Sequence, residues 1–203
     1  MPPIAVLLAG GLARRMGGGD KALRLLAGRP LLDHAIARIG PQVAALVINA
    51  NGDPSRFAPW GLDIIADPIP DHPGPLAGIL AGLRWAERRG ATDIVSIPTD
   101  TPFLPTDLVA RLQAARESAD TPLACAASRG WTHPVIGLWP TALAPSLEAA
   151  LQAGTRKIDH WTARHGIAHA EFDGDPDPFF NANTPDELAA AEHHLRCREN
   201  PAN

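Results

Sequence analysis

A chain of 203 residues with 45% hydrophobic and 20% charged residues is long enough to bury a core, which excludes a disordered or fibrous polymer. Its 18 glycines and 21 prolines make it rich in loops without reaching low complexity. The net charge of −4 gives no general reason to bind nucleic acid, so any polyanion contact must be local.

The start, MPPIAVLLAGG, lacks the basic region of a signal peptide, and no segment approaches the ~20 apolar residues of a membrane span. A cytoplasmic protein without membrane association is expected. IAVLL (4–8) reads as a buried first strand, and PLLDHAIARI (30–39) as a helix with Leu31, Ala35 and Ile39 at helical spacing. AALVINAN and LDIIAD read as the second and third strands. PLAGILAGLRWAERRG follows as a helix closed by Gly90, then DIVSIPTD (93–100) as the fourth strand and PTDLVARLQAARES as a helix. This alternation predicts an α/β fold with a mainly parallel, helix-covered sheet.

Beyond Thr121 the pattern loosens. PLACAAS and HPVIGLW are strand-like, with an antiparallel pairing in view, and ALAPSLEAALQAG is a helix ended by Gly154. RKIDHWTARHG suits a short helix, and IAHAEFD (167–173) a last strand. TPDELAAAEHHL opens with Thr184, Pro185 and Glu187 in a capping-box spacing, which marks the start of a C-terminal helix. One domain over residues 1–195 with a tail over 196–203 is expected. Cys125 and Cys197 have no metal-ligand spacing and read as reduced thiols, and the eight histidines read as solvated side chains rather than a zinc site.

The stretch LLAGGLARRMGGGDK (7–21) runs from the first strand into five glycines, two arginines and a lysine. Glycine backbone approaches a ligand closely and its free N–H groups favour an anion, and the interleaved basic residues point the same way. It matches neither a Walker A loop, because Ala22 follows Lys21 where a hydroxyl is needed, nor a dinucleotide fingerprint. It is therefore a phosphate loop of another kind or a surface loop.

Ligands of open parallel sheets bind outside the carboxyl ends of the strands. Polar residues gather there: Gly10 and Gly11, Asn49 and Asn51, Asp67, and Asp100. A lone aspartate after a strand is usually a turn residue, and the coincidence with a basic glycine loop is what favours a site. Asp100 in PTDTPFL suits Mg²⁺, which takes one or two protein carboxylates and completes its shell with phosphates and water. Gly74, Pro75 and Gly78 at a helix start would admit a base or a closely packed neighbour. FFNANTP places Asn181 and Asn183 two apart in extended backbone, on one face.

With these residues in hand, LLAGGLARRMGGGDKALRLLAGRPLLDH resembles the LAGG-x-x-x-RMG-x-DK signature of the molybdenum cofactor guanylyltransferases, the MobA-type enzymes. NAN, GPLAGI, DTPFLP, the His-Pro pair of THPVIGLW and NANTPDEL stand in the order of that family, so the likeness covers essentially the whole chain. The resemblance implies a Rossmann-like nucleotidyltransferase fold that binds GTP with Mg²⁺ and joins GMP to the terminal phosphate of molybdenum-molybdopterin, releasing pyrophosphate. It implies nucleotide contacts from Leu8, Ala9, Gly10 and Gly11, GTP binding by Lys21, Asn49 and Asp67, and both GTP and Mg²⁺ on Asp100. Arg15 would contact phosphate, and Asn181 and Asn183 would lie toward the acceptor. Arg15, Lys21 and Asp100 would then carry the transfer. A monomer serving molybdoenzyme-maturation proteins is expected. One departure from the signature is the run Gly17 to Gly19 before Asp20. Rivals are a cytidylyltransferase of the same cofactor, whose relatives read LAAG and DQP, a sugar-1-phosphate nucleotidyltransferase, and a GTP-binding adaptor without catalysis.

Overall fold

In chain order the elements are β1 (Ile4–Leu8), a short ribbon of β2 (Leu25–Leu26) and β3 (Arg29–Pro30), α1 (Leu31–Ile39), β4 (Ala45–Asn49), β5 (Asp63–Ile65), α2 (Pro75–Glu87), β6 (Asp93–Pro98), α3 (Leu108–Ser118), β7 (Leu123–Ser128), β8 (Trp131–Pro140), α4 (Ala144–Gln152), α5 (Ile158–Thr162), β9 (Ile167–Glu171) and α6 (Pro185–Glu199). The computed structural model describes residues 1–10, 20–69 and 74–199. Strand β1 is hydrophobic at every position because helices cover both of its faces. Ile4 and Val6 join α2, α4 and α5 in one cluster, whereas Ala5 and Leu7 face α1 and α3 in the other.

The main sheet has the order β5-β4-β1-β6-β8-β7-β9. Among the described residues seven strands run through it, of which β8 opposes the rest, pairing antiparallel with both β6 and β7. The mainly parallel, helix-covered sheet read from the alternation is therefore present, and the antiparallel pairing after Thr121 is present as well.

From β1 the chain builds outward through β4 to β5 and then returns to place β6 on the other flank of β1. Such a reversal opens a crevice at the carboxyl ends of the strands on either side of it. The register makes those ends level: Leu8 lies opposite both Asn49 and Pro98, and Asn49 lies opposite Ile65.

Strand β8 carries an irregularity. Adjacent Cys125 and Ala126 of β7 pair with Gly137 and His133, so Pro134, Val135 and Ile136 form a bulge. Proline, which cannot donate to a ladder, is tolerated there. The bulge is tied down from beneath, because the Ser96 hydroxyl donates to the Val135 carbonyl (2.6 Å) and receives the Trp139 indole N–H (2.7 Å).

The helix starting near Thr184 has the expected cap, with the Thr184 hydroxyl accepting from Glu187 N–H at 3.2 Å. The Glu187 carboxylate reaches one residue further back than a capping box requires, to Asn183 N–H at 2.7 Å. Residues 196–199 continue α6, so the expected boundary at 195 falls inside the helix. The β2-β3 ribbon and a 3₁₀ segment, Pro54–Trp60, have no counterpart in the sequence reading, since two-residue strands show no periodicity. The ribbon packs Leu26 with Leu31, Phe103, Ala182 and Ala191, which brings α6 back to the front of the molecule.

Candidate active site

A cleft of about 450 Å³ lies at the level strand ends, lined by Leu8, Gly10, Asn49, Asp67, Pro98 and Asp100 among others. Four strands thus deliver one feature each, as the position of polar residues in the sequence suggested. Gly74 borders the same cleft at the start of α2 with φ of 125°, a backbone state closed to other residues.

At one end of the cleft a carboxylate is held by two amides. The Asn49 side chain donates to Asp67 Oδ1 (2.9 Å) and Asn51 donates to Asp67 Oδ2 (2.7 Å), while Asn51 Oδ1 accepts from the Asp67 backbone N–H (2.9 Å). A carboxylate has about four lone-pair sites, so two acceptor positions remain for a ligand. Asn49 is itself fixed by a bond to the Ile65 carbonyl (3.2 Å) and by α2, since a Cβ on Gly78 would overlap its side chain and Leu8. Close packing is thus the structural role of Gly78. It was one of two readings of that glycine from sequence.

At the other end Lys21 meets Asp100 and Asn183. Its ammonium donates to Asp100 Oδ2 and to Asn183 Oδ1, joining residues 79 and 162 positions apart. The Lys21 and Asp100 side chains are only 12% and 18% exposed, so this pair is shielded from the screening that weakens surface pairs. The segment carrying Asn183 is anchored by Ala182 N–H donating to the Asp100 carbonyl at 3.0 Å.

The remaining expected residues divide. Ala9 is buried behind the cleft, and its N–H is engaged by the Asn49 carbonyl at 2.9 Å. Gly11, Arg15 and the glycines 17–19 lie outside the described residues. Arg56 pairs with Asp20 at 2.9 Å and donates to the Asn51 carbonyl, tying the end of the glycine loop to the Asn51 side of the cleft. Asn181 and Asn183 serve different surroundings: Asn183 turns to Lys21, and Asn181 borders a second cavity.

That second cavity, of about 320 Å³, shares Pro98, Asp100 and Val135 with the first and is lined further by Thr101, His133 and Phe179. The β8 bulge forms the partition between the two. His133 packs on Phe179 with ring centres 4.8 Å apart, and burial pulls its pKa below the ordinary value against the opposing pull of Asp177. Ser128, which bonds this histidine, and Asp177 behind it were not legible in sequence, where Asp100, Asn181 and the His-Pro pair of THPVIGLW were the signals for this cavity.

Among the described residues no three His, Cys, Asp or Glu side chains are grouped as a metal site. A cation held at Asp100 would therefore have one protein carboxylate and need the rest of its shell from phosphates and water, which is how magnesium is commonly bound. No helix among those residues is long and apolar enough to cross a membrane. Cys125 and Cys197 are both free, and burial raises the Cys125 thiol to about 12.

This architecture has close counterparts. The MobA-like NTP transferase domain matches residues 5–169. A molybdenum cofactor guanylyltransferase of Bradyrhizobium sp. (strain ORS 278) is 56% identical over 92% of this chain and 90% of its own. The crystal structure of molybdopterin-guanine dinucleotide biosynthesis protein A from Archaeoglobus fulgidus superposes with a TM-score of 0.76 at 25% identity, covering 95% of this chain and 98% of that one. A CMP:2-keto-3-deoxy-manno-octonic acid synthetase complexed with CTP shares the fold, with a TM-score of 0.74 at 14% identity over 98% of this chain and 100% of that one. A cleft at the switch point of a mainly parallel sheet, the motifs in order along the chain and this level of identity lead to one conclusion: the chain belongs to the MobA-like NTP transferases and is a nucleotidyltransferase.

Proposed function

We propose that this enzyme transfers GMP from GTP to the terminal phosphate of molybdenum-molybdopterin, forming the guanine dinucleotide cofactor and releasing pyrophosphate. The observation that carries the reading is the pair of ends of one cleft: a lysine, a carboxylate and an asparagine at one, and an amide-held carboxylate at the other. Guanine presents a ring N–H and an exocyclic amine side by side, two donors that suit the two free acceptor positions of Asp67. Cytosine presents an acceptor beside its amine and would set that acceptor against the carboxylate. Asp67 thus supports guanylyl over cytidylyl transfer, as the LAGG and DTP of this chain do in sequence where the cytidylyl relatives read LAAG and DQP. The 56% identical relative named above bears the same activity in its name.

The transfer is an in-line displacement at the α-phosphorus. The acceptor phosphate is an anion at neutral pH and requires no general base, so the protein's work is positioning and charge neutralisation. Asp100 would hold Mg²⁺, which supplies charge neutralisation at the α-phosphate when bound. Lys21 and Arg15 offset charge on the departing pyrophosphate, and Asn183 keeps Lys21 at the cleft. Leu8 and Gly10 shape the nucleotide side, Asn49 orients Asp67, and Asn181 faces the acceptor. We place the enzyme in the cytoplasm as a monomer that hands its product to molybdoenzyme-maturation proteins.

Thermal denaturation with Mg²⁺ and each of GTP, CTP, ATP and UTP tests the nucleotide half. A ligand at 100 times its Kd adds about 2.7 kcal/mol, several degrees at ~2–4 °C per kcal/mol. A rise with GTP alone is expected; a rise with CTP alone moves the assignment to cytidylyl transfer, and no rise with any nucleotide rejects it.

A further inference from the structure

The second cavity contains a histidine whose hydrogen-bond roles the surroundings decide. Ser128 Oγ lies 2.8 Å from His133 Nε2 and 3.0 Å from each Asp177 carboxylate oxygen. A serine hydroxyl has one proton, and an ionised carboxylate only accepts, so that proton goes to Asp177. The oxygen is then left as an acceptor, and His133 Nε2 must be the nitrogen that carries hydrogen and donates. In a neutral imidazole the other nitrogen is then a bare lone pair.

Asp177 in turn accepts from Phe179 N–H (2.8 Å) and stands beside Arg129 Nε at 3.6 Å, so its carboxylate oxygens are held toward donors. His133 Nδ1 has no partner among the described residues, while the ring lines the cavity that adjoins Asp100.

We propose that His133 is a specificity-determining residue for the acceptor, its Nδ1 lone pair taking a hydrogen from an N–H of the acceptor's heterocycle, and that Ser128 and Asp177 are positioning residues that impose this tautomer. The inference rests on the guanylyl-transfer reading for the identity of the acceptor. A 2-amino-4-oxopteridine carries such donors, a ring N–H beside an exocyclic amine. The Phe179 ring packed on His133 supplies an aromatic wall, and the Asn181 amide borders the same space. An acceptor offering only a lone pair at that point would face another lone pair and be rejected, which is stronger discrimination than an apolar pocket achieves.

The first test needs no acceptor. Ring ¹⁵N spectra of the ligand-free protein at neutral pH should show His133 protonated at Nε2 and bare at Nδ1; a proton at Nδ1 overturns the proposal. Asp177→Asn preserves shape yet offers an N–H to Ser128, freeing the hydroxyl to donate to Nε2, so the proton should move to Nδ1. In guanylyl-transfer assays this variant should raise the acceptor KM about tenfold with kcat at saturating acceptor little changed. Ser128→Ala, which removes the relay without touching the Phe179 bond, should raise the acceptor KM as well and covers the case in which Asp177→Asn does not fold. A variant whose tautomer shifts while its acceptor KM stays at the wild-type value overturns the proposal. Both variants should retain the stabilisation by GTP and Mg²⁺. Absence of that stabilisation in the wild type is a failure of the nucleotide assignment, which the spectra and the acceptor KM register separately.

Discussion

The two halves of the sheet build two kinds of chamber. The half formed by β5, β4, β1 and β6 ends in charged and amide groups tied to one another: Lys21 to Asp100 and Asn183, and Asp67 to Asn49 and Asn51. In the half formed by β8, β7 and β9, the chamber instead has an aromatic wall, with a relay of Asp177, Ser128 and His133 behind it. The switch point provides level parallel strand ends, which suit a polyanion and its counter-charges. The reversed strand β8 provides a bulge and a flat wall instead. Asp100, Pro98 and Val135 border both chambers, which places the carboxylate where a donor and an acceptor would meet.

The sharpest way to break this division is Asp100→Ala, because Asp100 serves both sides. The expected loss in kcat is about 10²- to 10³-fold, measured by pyrophosphate release, in a protein that still folds but melts below the wild type because Lys21 loses its shielded partner; normal turnover in saturating Mg²⁺ removes Asp100 from the mechanism. Asp67→Ala should act on the nucleotide side alone. Loss of hydrogen bonds to a carboxylate predicts a GTP KM raised by about 10- to 100-fold and a reduced preference for GTP over CTP, with the acceptor KM unchanged in initial-rate kinetics.

Smaller effects sharpen the same contrast. Gly78→Ala forces a methyl group into Asn49 and Leu8, and overpacking of this kind costs about 1–3 kcal/mol. Its melting temperature should fall and its GTP KM rise, since Asn49 holds Asp67. Ser96→Ala strikes the partition instead: it leaves the buried Trp139 N–H without its acceptor, at about 1–3 kcal/mol, and releases the Val135 bulge. The acceptor KM should respond more than the GTP KM. The smallest effect concerns the thiols: mass spectrometry after brief alkylation at neutral pH should find Cys197 modified and Cys125 protected, because a buried thiol raised to about 12 presents almost no thiolate.

Much of the fold was legible in the chain because burial leaves a local trace. IAVLL, ALVIN and DIVSIP are apolar where helices cover them, Gly90 and Gly154 end their helices, and Thr184 with Glu187 marks the start of α6. The strand-end residues Asn49, Asp67 and Asp100 could be picked out by position alone, since a parallel sheet delivers the ends of its strands to one edge.

By itself, then, the sequence determined the alternation of elements, the edge at which a ligand would sit and the family to which the motifs belong. Only the tertiary structure decided which side chains meet there. Lys21 finds Asn183 across 162 residues because the β2-β3 ribbon and α6 share an apolar cluster, a contact that no local periodicity encodes. Asp177 reaches Ser128 because β8 and β9 flank β7 from opposite sides and bring the segment after β9 beside the β7-β8 turn. Periodicity records how each residue is buried within its own element, whereas a site records how distant elements are ordered, and strand order is settled by packing of the whole chain.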